Sequence, residues 1–551
     1  MIDDYLRTQL IAAACAAFDL APAEVPAVAL GAPPSKEHGD LATSLALVLA
    51  KARRRPPREV AEALVGRLAL DPERIGRVSI EGPGFINFHL GRPWVLAQLG
   101  RILAAGERFG QSEAGRGERV QVEFVSANPT GPLNVVSARA AAVGDALVRL
   151  LAASGHAAAS EFYVNDAGRQ VELLGESMDA RLRQARGEEA SIPEEGYQGD
   201  YVREIAAAVA AADQELAGLD GPARVARLTA AGVDRMVESQ RCDLERFGVR
   251  YDVWYRESAL HAAGALDQAL AALRGAGRVV ERDGALWFQT TAYGDDADRV
   301  IVRSDGRPTY FLADIAYHAG KRARGFERVI DIWGPDHHGH IPRMQAAAAA
   351  LGFGPDWLEV LIVQQVNLLQ GGKPVKMSKR AGEFVTLGEL VEQVGRDPAR
   401  FFFLMRRSDA HLNFDLDLAR SQTEENPCFY VQYAHARIVQ ILANARRRGV
   451  ELRPASELEV ERLAEPAEVE LLKLLAALPG VVSGAALARE PHRLTTYLRE
   501  VASLFHRFYH HQRVVGVEEE LMQARLGLVH ATQLVLRAGL GLIGVGAPDR
   551  M

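Results

Sequence analysis

Cysteine is scarce in this 551-residue chain, which contains only Cys15, Cys242 and Cys428. They are too widely spaced for a disulfide framework or for the ligand set of a structural metal, so we expect neither, and we expect a cytoplasmic location. Long apolar runs are also lacking, and we expect no membrane-spanning segment. The chain begins with acidic charges and no small-residue cleavage site, which favours an amphipathic helix over a signal peptide.

An excess of positive charge is absent as well, because 64 Lys and Arg residues face 71 Asp and Glu residues and the formal net charge is -7. Nucleic-acid-binding domains usually carry a bulk basic charge, so any such role here must depend on local patches. Residues 51–58 and 446–448 are candidate basic patches, although solvated helix ends explain them simply. The length predicts about two to four domains.

Three regions with different patterns divide the chain. Residues 1–110 combine helical patterns with short strand-like runs and predict a small α+β domain. Residues 111–420 open with a strand-like run, a Gly- and Pro-containing turn and a helical stretch, Val135–Ala153, which together make half of a βαβ unit. Residues 421–551 lose the strand signals and predict an all-helical domain.

The middle region predicts a doubly wound α/β domain, because its strand-like runs alternate with helical stretches. Residues 173–248 are the main helical insertion in this prediction. The candidate strands are residues 119–125, 158–164, 285–290, 300–302, 328–333 and 358–364.

A glycine-flanked segment with several cations, residues 371–382, contains the sequence Lys376-Met377-Ser378-Lys379. Pyrophosphate gathers negative charge as it leaves ATP, and a lysine that closes over it stabilises the transition state. A mobile loop can close on ATP and then let pyrophosphate leave. An ordinary solvated basic turn explains these four residues about equally well, because short motifs also match by chance.

Polar residues follow the first strand of the α/β region, within residues 122–132. Ligands of open α/β sheets bind at the carboxyl ends of the strands. The carboxylate of Glu123 suits a cationic or amine-bearing ligand there, and the amide of Asn128 can both donate and accept hydrogen bonds. Plain turn chemistry is the alternative interpretation of Asn128-Pro129.

These motifs, in this order, resemble those of the class I arginyl-tRNA synthetases, and the resemblance covers nearly the whole chain. It implies a Rossmann-type catalytic core with helical insertions, flanked by an N-terminal α+β domain that contacts tRNA and a C-terminal all-helical anticodon-binding domain. Besides residues 126–132 and the lysine loop, the matching segments are residues 39–44, 81–87, 162–170, 309–318, 333–340, 382–386, 430–437 and 547–551.

The resemblance implies an enzyme that uses ATP to activate L-arginine and transfers it to the 3′ end of tRNA(Arg). Arginine would be held by Glu123, Ser126, Asn128, Tyr310 and Asp314. Tyr310 and Asp314 lie four residues apart and share one face if their segment is helical. An aspartate is a suitable partner for a guanidinium group, although core packing of Tyr310 and a surface position for Asp314 are the plainer alternatives.

The same resemblance assigns catalytic roles to Lys376, Lys379, Asn134 and Ser137. Mg²⁺ would accompany ATP as part of the substrate complex and bind mainly through the phosphates, and no structural metal is expected. The further ATP contacts that it implies are Gly334, Asp336, His337, His338, Met377 and Ser378. A structural turn is the alternative for the histidines.

Contacts with tRNA(Arg) would include Tyr430, Tyr433 and Met551. Aromatic side chains can stack on the bases of single-stranded RNA, although packing between helices is the alternative for both tyrosines. We expect a monomer.

One motif departs from the family pattern. The first helix of the family begins with His, a hydrophobic residue, Gly and His, and here the matching residues are Asn134-Val135-Val136-Ser137. Asn134 and Ser137 can form hydrogen bonds, but neither can carry the charge of a protonated histidine. Val136 adds a branched side chain where glycine would allow close approach of a ligand.

Three interpretations follow from this departure. The chain is a working variant, a tRNA-binding paralogue that has lost adenylation, or an adenylyl transferase that acts on another small amine. We favour the working variant, because a dead enzyme has no need of the lysine loop or of the acidic residues for arginine. The N- and C-terminal domains argue against the third interpretation.

Overall fold

The computed structural model describes residues 2–375 and 385–551. Its N-terminal part is the predicted α+β unit, an antiparallel sheet in the order β1-β3-β2 covered by helices. Leu6, Leu10 and Leu49 of the helices pack with Ile86 and Phe88 of the central strand in a separate core. The elements are α1 (Ile2–Phe18), β1 (Leu41–Thr43), α2 (Leu45–Arg53), α3 (Pro57–Val65), β2 (Ile75–Glu81), β3 (Phe85–Leu90) and α4 (Arg92–Ala105).

The central part contains a five-stranded parallel sheet in the order β11-β10-β4-β5-β6. Its elements are β4 (Arg119–Glu123), α5 (Val135–Ala153), β5 (Ala157–Val164), α6 (Arg169–Ala185), α7 (Asp200–Ala212), α8 (Gly221–Arg246), β6 (Val253–Arg256), α9 (Glu257–Ala262), α10 (Ala265–Gly275), β7 (Val279–Arg282), β8 (Ala285–Phe288), β9 (Arg299–Val302), α11 (Tyr310–Ala323), β10 (Arg328–Trp333), α12 (Ile341–Ala350) and β11 (Leu358–Ile362).

The strand order places a topological switch point beside the first strand of this sheet. From β4 the chain passes through α5 to β5 on one side, whereas β10 lies on the other side and leads through α12 to β11. Ligands of doubly wound sheets bind in the crevice outside the carboxyl ends of the strands at such a point. Glu123 of β4 and Asp331 of β10 are register partners near this crevice.

The predicted helical insertion is present as α6, α7 and α8, which pack around Leu174, Met178 and Leu228. Two of the candidate strands were assigned to the wrong sheet. The strand at 285–288 pairs with β7 and with the strand at 299–302 in a separate antiparallel sheet, β7-β8-β9. A tight turn at Asp283-Gly284 joins β7 to β8, and residues 289–298 join β8 to β9. The fifth strand of the parallel sheet is instead β6, which the sequence analysis missed.

A third sheet, β13-β12-β14, and three helices complete this part of the chain. Residues 416–551, all of which the structure describes, contain helices and no strand, as predicted. The elements are β12 (Val366–Gln370), β13 (Lys373–Pro374), α13 (Leu387–Val394), α14 (Arg396–Phe403), β14 (Leu412–Asp415), α15 (Leu416–Arg420), α16 (Pro427–Arg447), α17 (Pro466–Ala476), α18 (Leu478–Ala488), α19 (His492–His511) and α20 (Glu519–Leu542).

One apolar stretch corrects the expectation about bilayer-spanning runs. Pro466–Ala488 has 23 residues and a mean hydropathy of 1.8, which is long and apolar enough to cross a membrane. Its helical structure consists of two short helices, α17 and α18, and its buried residues Leu471, Leu475 and Val482 belong to the main core. Core helices of globular proteins meet the same criterion of length and hydropathy.

Candidate active site

The backbone turns sharply where β4 ends. The strand was predicted to continue to Val125, but it stops at Glu123, and Val125 (φ 71°) and Ser126 (φ 41°) both adopt the left-handed region. Positive φ is strained for a β-branched residue, and such strain is concentrated at functional sites. The Ser126 hydroxyl donates to Glu123 Oε1 (2.8 Å) and accepts from the Tyr163 amide (3.0 Å), which holds this corner in place.

Glu123 is a buried member of an ion-pair cluster rather than an open acidic group. Glu123 is 7% exposed. Its Oε1 accepts a hydrogen bond from the Ser126 hydroxyl, and its Oε2 accepts one from Lys321 Nζ (2.6 Å). Burial raises the pKa of Glu123, and Lys321 opposes that shift. Glu123 therefore supports the corner after β4, and its outward contact with a ligand would pass mainly through Ser126.

Tyr310 and Asp314 lie one turn apart on the first turns of α11, so their segment is helical and they share a face. Tyr310 is 59% exposed, which does not fit core packing. Asp314 is half-buried, and its Oδ2 lies 3.0 Å from His340 Nε2. Asp314 therefore places a partly exposed carboxylate, with one oxygen near His340, on the same face of α11 as Tyr310.

Glu257 is a second acidic residue near Asp314 that the sequence analysis missed. It is 5% exposed at the start of α9, and it accepts hydrogen bonds from the Tyr163 hydroxyl and, with the amide suitably oriented, from Asn165 (2.7 Å). Burial raises the pKa of Glu257, the Tyr163 bond and His261 lower it, and the charge of Asp314 raises it further. Two carboxylates that act on each other electrostatically favour a cationic ligand between them.

The signal for Glu257 was weak because it follows β6, a strand that has no clear pattern in the sequence. Asp166, which contacts the start of α9, did lie in a segment that matches the family, residues 162–170. Asp166 accepts from both the main-chain amide and the hydroxyl of Ser258 (2.8 Å each), which fixes the start of α9 against the end of β5. Asn165 and Asp166 thus position Glu257.

Asn128 is exposed, and its main-chain carbonyl accepts a hydrogen bond from Gln240 of α8 (3.0 Å). The same Gln240 amide donates to the Gly131 carbonyl (2.9 Å). The insertion therefore braces the turn that follows the strained corner, and the Asn128 side chain is left at the surface of the crevice.

The altered motif forms the beginning of α5. Asn134 is the N-cap, and its Oδ1 accepts from the amides of Val136 and Ser137 (3.0 Å each). An N-cap acceptor satisfies amides that the helix cannot pair itself. Asn134 also forms an isolated antiparallel bridge with Thr386, and the Leu387 amide donates to the Leu133 carbonyl (2.8 Å). The chain that follows the lysine loop thus returns to the start of α5.

The predicted ATP contacts fall in two places. Gly334 directly follows β10 and caps a short 3₁₀ segment, Pro335–His340, at the carboxyl edge of the sheet. Asp336, His337 and His338 lie in this segment and are exposed. Lys376, Met377, Ser378 and Lys379 lie outside the described residues. Among the residues that the structure describes, no three His, Cys, Asp or Glu side chains cluster in a way that could hold a metal.

The predicted tRNA contacts lie on the helical domain. Tyr433 stacks on Phe429 (6.0 Å between ring centroids) and on His506 (5.8 Å), and Tyr430 lies 4.8 Å from the same histidine ring. Arg437 donates to the Tyr433 hydroxyl (3.2 Å). These rings are half-buried. They pack against one another and also expose part of each ring to solvent, so the positions fit both packing between helices and contact with RNA. Met551 is 53% exposed.

The fold is shared with other enzymes that attach amino acids to tRNA. A methionyl-tRNA synthetase structure from Mycobacterium tuberculosis, in complex with methionyl-adenylate, matches over 78% of this chain and 91% of that chain, with a TM-score of 0.55 and 14% identity. Residues 98–404 match the family model described as tRNA synthetases class I (R), catalytic domain. The parallel sheet and its crevice therefore define a class I aminoacyl-tRNA synthetase.

Proteins with higher sequence identity show to which family within this class the chain belongs. The Arginine--tRNA ligase of Moorella thermoacetica is 51% identical over 99% of this chain and 97% of its own length. The Thermus thermophilus arginyl-tRNA synthetase structure covers 100% of both chains with a TM-score of 0.79 and 25% identity. Residues 5–90 match the arginyl tRNA synthetase N terminal domain and residues 431–551 the DALR anticodon binding domain. The chain belongs to the arginyl-tRNA synthetase family.

Family membership makes the chain an arginine–tRNA ligase. The predicted class of enzyme and the three-part architecture are confirmed. The alternative of a paralogue that has lost adenylation receives no support from the relatives.

Proposed function

We propose that the crevice at the carboxyl edge of β4, β5 and β10 is the site where arginine is activated. Asp314 and Glu257 accept the guanidinium group, and Tyr310 covers it. Ser126, supported by Glu123, and the exposed Asn128 side chain hold the amino end of arginine. A guanidinium group has five donors, and two carboxylates can satisfy more of them than one can.

Asn134-Val135-Val136-Ser137 then acts as a working form of the ATP motif. The observation that carries this proposal is the bridge between Asn134 and Thr386, which returns the chain to the start of α5 seven residues after Lys379. Lys376, Met377, Ser378 and Lys379 bind the triphosphate, together with the Gly334–His338 segment. Mg²⁺ enters with ATP and is held mainly by its phosphates.

The reaction in this proposal has two steps. The carboxylate of arginine attacks the α-phosphate of ATP, which gives arginyl-adenylate and releases pyrophosphate. The terminal ribose hydroxyl of tRNA(Arg) then attacks the adenylate carbonyl and releases AMP. No side chain needs to form a covalent intermediate, so the protein contributes positioning and charge stabilisation.

The proposal assigns the chain to three domains, residues 1–110, 111–420 and 421–551, in a cytoplasmic monomer. The first domain contacts tRNA. In the third, Tyr430 and Tyr433, within the half-buried aromatic surface that includes His506, contact the anticodon loop, and Met551 lies at its edge. α4 falls in the first domain by this boundary although it packs against α17 and α20 of the third.

Exchange of labelled pyrophosphate into ATP, measured with arginine in the presence and absence of tRNA(Arg), tests this proposal directly. We expect exchange when arginine and tRNA are both present, because the acidic pocket and the capped start of α5 are intact. Lysine in place of arginine is the matched control, since its ammonium group cannot satisfy two carboxylates in the same way. Absence of exchange while tRNA still binds would show that Asn134–Ser137 does not support adenylation.

A further inference from the structure

Lys321 lies beneath the proposed arginine pocket without any exposure to solvent. Its Nζ donates to Glu123 Oε2 (2.6 Å) and to Asp331 Oδ1 (2.8 Å), and it lies 4.5 Å from the centre of the Tyr317 ring. The two buried carboxyl groups thus share one ammonium group. Buried charges are tolerated only where they are paired and hydrogen-bonded, and Lys321 provides this for Glu123 and Asp331.

His318 is a second group in contact with Asp331. Its Nε2 lies 2.7 Å from Asp331 Oδ2, and its Nδ1 lies 2.8 Å from the main-chain oxygen of Asp314. The Asp331 carboxylate is therefore held by Lys321 at one oxygen and contacted by His318 at the other.

The groups packed against this cluster form a separate balanced set. The Tyr317 hydroxyl donates to Glu161 Oε1 (2.5 Å), and Glu161 is paired with Arg324. The Asp331 carboxylate keeps its pKa below the ordinary range, because the attraction of Lys321 and His318 outweighs its complete burial. Glu161 thus forms its ion pair with Arg324 and not with Lys321.

The cluster ends at the strained corner after β4. Glu123, which Lys321 holds by one oxygen, uses the other to accept from the Ser126 hydroxyl. We propose that Lys321, anchored by Asp331, is a positioning residue that fixes Glu123 and Ser126 for recognition of the amino end of arginine. This inference rests on the proposed role of Glu123 and Ser126 at the arginine pocket.

Two variants separate positioning from a purely structural contribution. Lys321→Met removes the cation that Glu123 and Asp331 share, and we expect a lower Tm together with a higher KM for arginine. Lys321→Met/Asp331→Asn removes one charge of each sign, so the cluster keeps the net charge of the wild type, and Glu123 is retained but loses its ammonium partner. We expect this double variant to recover most of the lost Tm while its KM for arginine stays about ten- to a hundredfold above wild type, the factor of one lost charged hydrogen bond.

Steady-state aminoacylation with arginine, ATP and tRNA varied in turn gives the required readout, and only the KM for arginine should change strongly. Arg224→Met is the matched control, because Arg224 forms a mostly buried ion pair with Asp179 (2.5 Å) inside the insertion. We expect it to lower Tm without changing the KM for arginine. Recovery of both Tm and the arginine KM in the double variant would reduce Lys321 to a structural role and overturn the inference.

Glu123→Gln distinguishes failure of this inference from failure of the proposed function. If Glu123→Gln leaves the KM for arginine unchanged, Glu123 has no part in the pocket, and the proposed function fails at this residue along with the inference. If Glu123→Gln raises the KM but the double variant does not, the pocket assignment stands and the positioning role of Lys321 is wrong.

Discussion

In this proposal a few single residues select arginine, and the role of each depends on whether its side chain is exposed or buried. The sequence identified Asp314 and Tyr310 through a resemblance, and the structure places both on the first turns of α11. The sequence could not identify Glu257 or Lys321, because neither residue stands in a pattern that differs from that of ordinary helix or loop residues. Their importance follows from burial and from the partners that the fold brings to them.

The raised pKa of Glu257 predicts a pH dependence for arginine recognition. Protonation removes the charge that holds the guanidinium group, and because burial raises the pKa, this occurs at a higher pH than for an exposed glutamate. We expect kcat/KM for arginine, which reports the free enzyme, to fall as pH decreases through that raised pKa. The measurement is the pH profile of kcat/KM at saturating ATP and tRNA.

Two variants assign that profile. In Glu257→Gln we expect a low kcat/KM that no longer shows this acid limb. In Asp314→Asn we expect the limb to persist at lower pH, because the charge of Asp314 contributes to the raised pKa of Glu257. An unchanged limb in Glu257→Gln would show that another group titrates.

At the scale of elements, the helix–strand pattern identified α5 and four of the five strands of the parallel sheet. This pattern failed where tertiary pairing decides the sheet: β8 and β9 have the composition of any strand, and only their antiparallel pairing separates them from the parallel sheet. β6 was missed because four residues after a long helical insertion give too short a pattern. The altered ATP motif is also an element-scale feature, since its first residue caps α5.

Restoring the family motif should therefore not improve the enzyme. In Asn134→His/Val136→Gly/Ser137→His, we expect no gain in turnover and a lower stability, because the cap on two amides is lost at a cost of about 1 kcal/mol. Glycine inside the first turn costs about another 0.5–1 kcal/mol. Pyrophosphate exchange and urea unfolding measure the two effects.

Asn134→Ala removes the cap without adding a histidine and is the control for the triple variant. We expect it to lose a similar part of the stability. A large increase in turnover of the triple variant over wild type would show that the histidines, and not the capped helix start, limit this site.

At the scale of the whole molecule, the resemblance predicted the order of the three parts, but not how they are joined. Arg400 of α14 is completely buried and binds three parts of the chain. Its Nε donates to the Ile543 carbonyl (3.1 Å), its Nη1 to the Phe247 carbonyl (3.3 Å), and its Nη2 pairs with Asp145 of α5. Gly544 lies so close that a Cβ there would meet the guanidinium group. The chain beyond α20 is thus fixed to the catalytic part.

Arg400→Met should lower the free energy of unfolding by about 3–5 kcal/mol, because loss of one partner of a buried ion pair leaves uncompensated polar groups. Arg149→Met is the matched control: Arg149 pairs with the same Asp145 (2.8 Å) but is 41% exposed, so its loss should cost at most about 1 kcal/mol. Urea unfolding measures both costs, and amide exchange at residues 543–546 should accelerate in Arg400→Met alone. Equal costs for the two variants would mean that the ion pair with Asp145, rather than the carbonyls of Phe247 and Ile543, accounts for the stability that Arg400 contributes. The C-terminal end would then be held by its other contacts, such as the hydrogen bond from Gln432 to the Gly546 carbonyl (2.9 Å).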